Sequence, residues 1–239
     1  GVAGSDYVSP TAREPIPASP STIDSPNLTD LGNAKRLIRA SQNELLYCAA
    51  HGAWYIFQES HWRRDSDGAV FRVAKRAVGL IFEEALAEPD TDRQATLRRH
   101  ALRSESSRSL NAMVSVASTE SEVVISSQML DADPWLFNVS NGTIDLRTGK
   151  MQQHDRTDFI TKKSSVVYDP TATCPLWDDF LNYAMEEDEE IVEFINRFFG
   201  YCLTGLVTEQ VLLFMEGTGS NGETTALLIL MHILGDYAI

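Results

Sequence analysis

Apolar residues recur first at helical and then at strand spacing near the start of the predicted folded region. The first set repeats every three or four residues after Thr29, whose hydroxyl can cap a helix. Its members are Leu31, Ala34, Leu37 and Ile38. Short aromatic-rich runs separated by turn residues follow, at 45–48, 53–57 and 61–64. The pattern predicts one helix and then a small antiparallel meander.

Helical spacing returns after the turn at 65–68, and strand patterns return near Trp135. Five further helices are predicted, at 70–86, 92–102, 107–117, 175–184 and 191–203. Between the third and fourth of these, Asn141-Gly142 is typical of a tight hairpin. The predicted fold class of residues 28–170 is therefore α+β, with helices and small antiparallel sheets.

A strand, a glycine-rich loop and a helix are predicted in succession near the end of the sequence. Residues 211–215 form an uncharged apolar run, typical of a strand buried on both faces of a parallel sheet. Three glycines follow within six residues, and 226–234 is an apolar helix that ends at Gly235. This order is the context that a phosphate-binding loop requires.

The loop has phosphate-loop spacing with one exception. Gly217, Gly222 and Thr224 match the pattern, but Glu223 replaces its lysine. At ~4 Å and an effective dielectric near 20, one pair of unit charges is worth about 4 kcal/mol, so the replacement reverses a large attraction for phosphate. The candidate nucleotide-binding residues are Gly217, Thr218, Gly219, Ser220, Asn221, Gly222, Glu223, Thr224 and Thr225. Thr224 is also the candidate magnesium ligand.

Six segments of the sequence together resemble a family of replication proteins. They are LTDLGNA at 28–34, WRRD at 62–65, LDADPW at 130–135, NGTIDLRTG at 141–149, FFGYCLTG at 198–205 and GDYA at 235–238. Their order, together with the loop, resembles phage, plasmid and poxvirus primase-helicases, from the middle region to the start of the superfamily 3 helicase ATPase domain.

This resemblance implies an ATP-dependent DNA helicase with an α/β AAA+-type motor. It implies ATP and Mg²⁺ as cofactors, single-stranded or forked DNA as a partner, a homo-oligomeric ring and an upstream primase domain. Because Glu223 departs from the family pattern, and because the expected remainder of the motor lies beyond this sequence, we expect the chain alone neither to bind ATP tightly nor to hydrolyse it.

Four regions are expected on these grounds. Residues 1–27 are rich in proline and serine and predict a disordered linker. Residues 28–170 are the α+β middle region, and 171–206 are expected, by resemblance, to form a helical collar. Residues 207–239 would be the truncated start of the ATPase domain, with an apolar surface left exposed or self-associated.

Composition limits the function classes. The formal net charge is −14, so the chain as a whole is not attracted to nucleic acid by bulk charge. The three cysteines are widely spaced and odd in number, which favours reduced thiols in a cytoplasmic protein over a disulfide frame or zinc site. No apolar run is long enough to span a membrane.

Two groups of side chains have both a structural and a nucleic-acid interpretation. Trp54, Tyr55 and Trp62 can form a sheet core, or can stack bases beside Arg63 and Arg64. Basic residues can be solvated helix faces or can contact DNA. They are Lys35, Arg36 and Arg39 in the first helix, and Arg72, Lys75, Arg76, Arg93, Arg98, Arg99, Arg103 and Arg108 in the next three.

Two further features, a His-Asp pair and an acidic run, give only weak evidence of a metal or catalytic site. His154-Asp155 allows a metal or acid–base site, but one pair in a polar turn is little evidence. The acidic run at 186–190 is better explained as the charged start of the following helix than as a metal cluster. Besides a helicase fragment, two functional alternatives stay open, a non-catalytic adaptor or oligomerisation domain and a DNA-binding module.

Overall fold

The first sheet and the first four helices form one unit in the computed structural model, which describes residues 26–216 and 222–238. The helices are α1 (Asp30–Ser41), α2 (Ala69–Ala87), α3 (Thr91–Ser104) and α4 (Ser107–Ala117). The strands are β1 (Leu45–Cys48), β2 (Ala53–Gln58) and β3 (His61–Arg64). They pair antiparallel in the order β1-β2-β3, which confirms the predicted meander.

Local sequence signals explain where α1 begins and which face it buries. The Thr29 hydroxyl accepts a hydrogen bond from the Gly32 N–H at 3.2 Å, which confirms the predicted cap. Ala34 and Leu37, one turn apart, are fully buried and pack with residues of α2 and α4. The apolar stripe predicted from spacing is therefore the face that holds α1 in the core.

The aromatic residues of the first sheet lie inside the protein. Trp54 packs against the helices, whereas Tyr55 and Trp62 lie in a second cluster with Leu46 and Ile125. The Trp62 indole N–H donates to the Arg156 carbonyl at 2.8 Å. Because both faces of this sheet are covered, the base-stacking interpretation is wrong and the core interpretation is confirmed.

A second three-stranded sheet follows α4. Its strands are β4 (Leu136–Val139), β5 (Gly142–Asp145) and β6 (Lys150–Gln152), antiparallel in that order. The predicted hairpin joins β4 and β5, and the Asn141 side chain fixes it by exchanging two hydrogen bonds of 2.9 Å with the backbone of Tyr168. Phe137, Val139 and Ile144 form the core of this sheet.

Three helices complete the described chain, which is α+β with seven α-helices. They are α5 (Pro175–Ala184), α6 (Glu189–Cys202) and α7 (Glu223–Leu234), and α7 continues into a 3₁₀ turn, Gly235–Tyr237. The Asp188 carboxylate caps α6 by accepting from the Glu190 and Ile191 N–H groups. The acidic run therefore starts a helix, as predicted, and no group of three metal-ligating side chains is arranged to hold an ion within the described residues.

The predicted strand at 211–215 is wrong. Residues 211–216 have no strand pairing in the structure, and Leu212 and Phe214 are 90% and 79% exposed. A strand requires a neighbouring strand for its backbone hydrogen bonds, and none lies alongside this segment in the described chain. Of the predicted strand, loop and helix, only the helix is described as predicted, because residues 217–221 of the loop lie outside the described residues. The linker at 1–25 lies outside the described residues.

The interpretation of Arg36 as a solvated or DNA-contacting side chain is also wrong, because the side chain is buried. Its side chain is 1% exposed and forms a two-pronged ion pair with Glu84 of α2, at 2.8 and 2.6 Å. It also donates to the carbonyls of Pro26 and Asn27. The planar guanidinium can satisfy all four acceptors at once, so it ties the entry of the chain to the α1–α2 interface.

Candidate nucleotide-binding site

The beginning of α7 is the described part of the candidate site. Gly222 precedes the helix with φ of 91°, and a Cβ built on it would lie 2.6 Å from Cε2 of Phe180 in α5. Glycine is needed here both for the left-handed backbone and for the contact with the aromatic ring. The start of α7 is therefore held against α5 at Gly222.

The structure describes four of the nine candidate residues, at positions 222–225. Gly222 and Glu223 are half-buried, and Thr224 and Thr225 are exposed in the first turn of α7. Residues 217–221 lie outside the described residues. The first turn of a helix favours an anion. Glu223 supplies that anion from the chain itself, in the place of a side chain that would attract one.

A mainly apolar cavity of about 300 Å³ adjoins Glu223. Residues of α5, α6, α7 and the segment before the loop line it, including Phe180, Phe199 and Ala226. Among the described residues, the ionisable side chains that line it are those of Glu216 and Glu223, so none of these offers a bound phosphate a cation. Sequence reasoning missed this cavity, although the aromatic stripes of α5 and α6 signalled an apolar face there.

The far end of α7 is held by the middle region through its backbone. Lys163 donates its N–H to the Asp236 carboxylate, and Asp236 donates its N–H to the Lys163 carbonyl, both at 3.2 Å. The Ser164 hydroxyl donates to the Ile233 carbonyl. Gly235, with φ of 55°, allows this approach, since a Cβ there would lie 2.9 Å from the Lys163 carbonyl oxygen. These contacts fix the position of α7 relative to the second sheet.

Tyr237 adds a side-chain contact at the same place. Its hydroxyl accepts from the Asn138 N–H at 3.1 Å, and its ring lies 5.0 Å from that of Phe137. Burial raises the pKa of Tyr237, which stays protonated. The Asn138 side chain in turn donates to the carbonyls of Ser60 and Lys162. Asn138 therefore connects the helix end to both sheets, a link that no sequence pattern indicated.

The basic residues of α2, α3 and α4 lie on exposed faces, as both the solvated-helix and the DNA-contact interpretations require. Two of them pair with carboxylates, Arg72 with Asp67 at 3.0 Å and Arg93 with Glu88 at 2.9 Å. Within the described part of the chain the others form no ion pair; they are Lys75, Arg76, Arg98, Arg99, Arg103 and Arg108.

His154 and Asp155 do not form an acid–base pair. The Asp155 carboxylate accepts from the Thr157 N–H and hydroxyl at 2.8 and 2.7 Å, and these hydrogen bonds lower its pKa. Nδ1 of His154 is buried and has no hydrogen-bond partner among the described residues. Asp155 thus serves to cap the short 3₁₀ turn Arg156–Asp158.

Comparison with known proteins bears on the middle region. A protein-family model described as "D5 N terminal like" matches residues 34–186, well over half of the chain. The match begins within α1, includes α2 to α5 and both sheets, and ends before α6 and the candidate loop. A search of curated proteins found no match. None of the described helices is long and apolar enough to cross a membrane.

Proposed function

This chain belongs to the D5 N-terminal-like family, and we propose on that premise that it is part of a primase-helicase-type protein of DNA replication. The family match carries the proposal, since it includes the first sheet, the second sheet and the helices between them. The ordered segments at 28–34, 62–65, 130–135 and 141–149 support the same assignment and overlap the matched residues. DNA is therefore the proposed partner.

We further propose that residues 207–239 form the start of a superfamily 3 helicase motor whose nucleotide site is impaired. The spacing of Gly217, Gly222 and Thr224 supports a phosphate loop. In such a loop a helix follows the last glycine, and α7 begins at Glu223, directly after Gly222. In this proposal the loop would hold the phosphates of ATP, and Thr224 would bind Mg²⁺. The full protein would act as a ring beside an upstream primase domain.

Glu223 is the reason for proposing that the site binds ATP weakly. Its carboxylate lies in the first helical turn, and no lysine or arginine is among the described residues that line the adjoining cavity to offset the charge. Backbone dipoles at an exposed helix end contribute typically 0.3–1 kcal/mol, which is less than the repulsion from a nearby like charge. The chain should therefore not bind ATP at submillimolar concentration.

A titration with a fluorescent ATP analogue and Mg²⁺ tests this proposal. The Glu223→Lys variant should bind the nucleotide more tightly than the natural chain. Glu83→Lys is the matched control, because it makes the same charge change at an exposed position of α2. Tight binding by the natural chain, or an equal gain in both variants, would show that the assignment of Glu223 is wrong.

An adaptor or oligomerisation role is the second candidate. The observation that favours it is that several large apolar side chains near the end of the chain are exposed, those of Leu212, Phe214, Leu228 and Met231. Exposed apolar patches are typical of protein interfaces. Sedimentation at several protein concentrations distinguishes the two candidates: concentration-dependent assembly without ATP hydrolysis supports the adaptor, and a monomer at all concentrations contradicts it.

A further inference from the structure

Three cationic side chains line one open groove on the first helical unit. Lys35 and Arg39 come from α1, Arg93 comes from α3, and the groove encloses about 440 Å³. Thr29 and Leu31 are also part of its wall. Lys35 and Arg39 are four residues apart, and that spacing places two side chains on the same face of a helix. The cations therefore face a single space from two different helices.

Among the described residues no carboxylate lines this groove, although the chain carries 34 acidic residues against 20 basic ones. Arg93 pairs with Glu88, which lies outside the lining, at 2.9 Å. Lys35 and Arg39 are exposed and form no ion pair within the described residues. Like charges gathered around one space repel each other, so the arrangement favours an anion in the groove.

Arg36 shows what a structural cation in the same helix looks like. It is buried and has its charge matched by Glu84, with its remaining donors satisfied by backbone carbonyls. Lys35 and Arg39 flank it in sequence and have no such partners. The difference separates a residue that holds the helices together from two residues whose donors face solvent and are free to bind a ligand.

We propose that this groove binds the phosphate backbone of a nucleic acid. The inference rests on the proposed role in DNA replication, and it specifies the surface and the kind of contact. Lys35 and Arg39 contact phosphates directly, and Arg93 adds a third contact when it leaves Glu88. Because Trp54, Tyr55 and Trp62 are buried, these aromatics provide no stacking platform, and binding is independent of base sequence.

Binding of this kind has a characteristic dependence on salt. Each phosphate contact contributes about −0.7 to the slope of log K against log salt concentration for single strands, and about −0.9 for duplex DNA. Three contacts predict a slope of about −2 on a single-stranded oligonucleotide. The distant acidic residues affect the groove little at physiological ionic strength, where the screening length is about 8 Å.

Fluorescence anisotropy with a labelled oligothymidine, at several salt concentrations, tests the proposal on the whole chain. The variant Lys35→Ala/Arg39→Ala should reduce the slope to about −0.7 and weaken binding at low salt. The matched control is Lys75→Ala/Arg76→Ala, which removes the same charges from exposed positions of α2 outside the groove. Alanine is compatible with both helices, so all variants should fold.

The charge-conserving variant Lys35→Arg/Arg39→Lys should keep the natural slope, which separates loss of charge from loss of structure. The proposal is overturned if no nucleic acid binds at low salt, or if the α2 control loses as much affinity as the groove variant. Binding of millimolar inorganic phosphate or ATP by a chain that binds neither duplex nor single-stranded DNA would indicate a small-anion site and would also overturn the proposal. These results do not depend on Glu223, so the ATP-binding proposal can fail separately.

Discussion

The two ends of the described chain differ in how far their apolar side chains are buried. Between α1 and α4, apolar side chains from helices and strands meet in shared clusters, and Leu37 and Trp62 are buried. Near the end of the chain, Ala226 and Leu230 pack against α5 and α6, but many apolar side chains of 207–216 and α7 are exposed, Leu212 the most of all. Apolar spacing shows that a segment needs cover, but a neighbouring element must provide it.

The largest expected effect contrasts one residue from each end. Trp62→Ala should lower the free energy of unfolding by about 3–5 kcal/mol, because it empties a filled core position and removes an indole hydrogen bond. Leu212→Ala should change it by less than about 0.5 kcal/mol, because the side chain is exposed. Urea denaturation of both variants measures the two effects. Comparable losses would contradict the difference in burial.

Arg36→Ala should have the next largest effect. It leaves the Glu84 carboxylate without its partner, and loss of one member of a buried ion pair costs about 3–5 kcal/mol, less here because Glu84 is partly exposed. Lys35→Ala is the control from the same helix and should be nearly neutral. Chemical denaturation distinguishes them. If Arg36→Ala were as mild as the control, the pair would not anchor α1 to α2.

Tyr237→Phe tests the contact between the end of α7 and the second sheet. It removes the hydroxyl that accepts from the buried Asn138 N–H and should cost about 1–2 kcal/mol. Amide exchange across 226–234 should accelerate roughly 5–30-fold if opening there is local. Tyr183→Phe, at an exposed tyrosine, is the control. Unchanged exchange in Tyr237→Phe would mean that other contacts hold the helix end.

The smallest expected effect is a dependence of stability on pH that is caused by His100, a buried residue near the end of α3. His100 bonds Asn33 through Nε2 at 2.9 Å, and burial, with the charges of Arg36 and Arg103, lowers its pKa. The unfolded chain, with a histidine pKa near 6.5, then binds the proton more readily than the folded chain. Stability should fall as pH decreases through about 6.5.

Unfolding free energies at about pH 7.5 and 5.5 check this sign, since these values bracket the ordinary histidine pKa. The His100→Gln variant should lose less stability on acidification than the natural chain. His232→Gln, at an exposed position, should behave as the natural chain does. If His100→Gln showed the same pH dependence as the natural chain, His100 would not contribute to it.

The sequence by itself determined most of the elements. The strands 45–48 and 61–64 and the helices 107–117 and 175–184 have the bounds that spacing and turn residues predicted. The Thr29 cap and the Asn141-Gly142 hairpin were predictable for the same reason. Each depends on residues within a few positions, so the local chain contains the necessary information.

Only the tertiary structure decided which residues those elements bring together. Arg36 looked like its neighbours in sequence, and its burial depends on Glu84, forty-eight residues away. The groove of Lys35, Arg39 and Arg93 and the contact of Tyr237 with Asn138 join positions that share no local pattern. The segment 211–215 has the composition of a buried strand, and what it lacks in the described chain is a neighbouring strand. Hydrogen bonding between strands and pairing of charges both require a partner in space, and the linear pattern does not specify that partner.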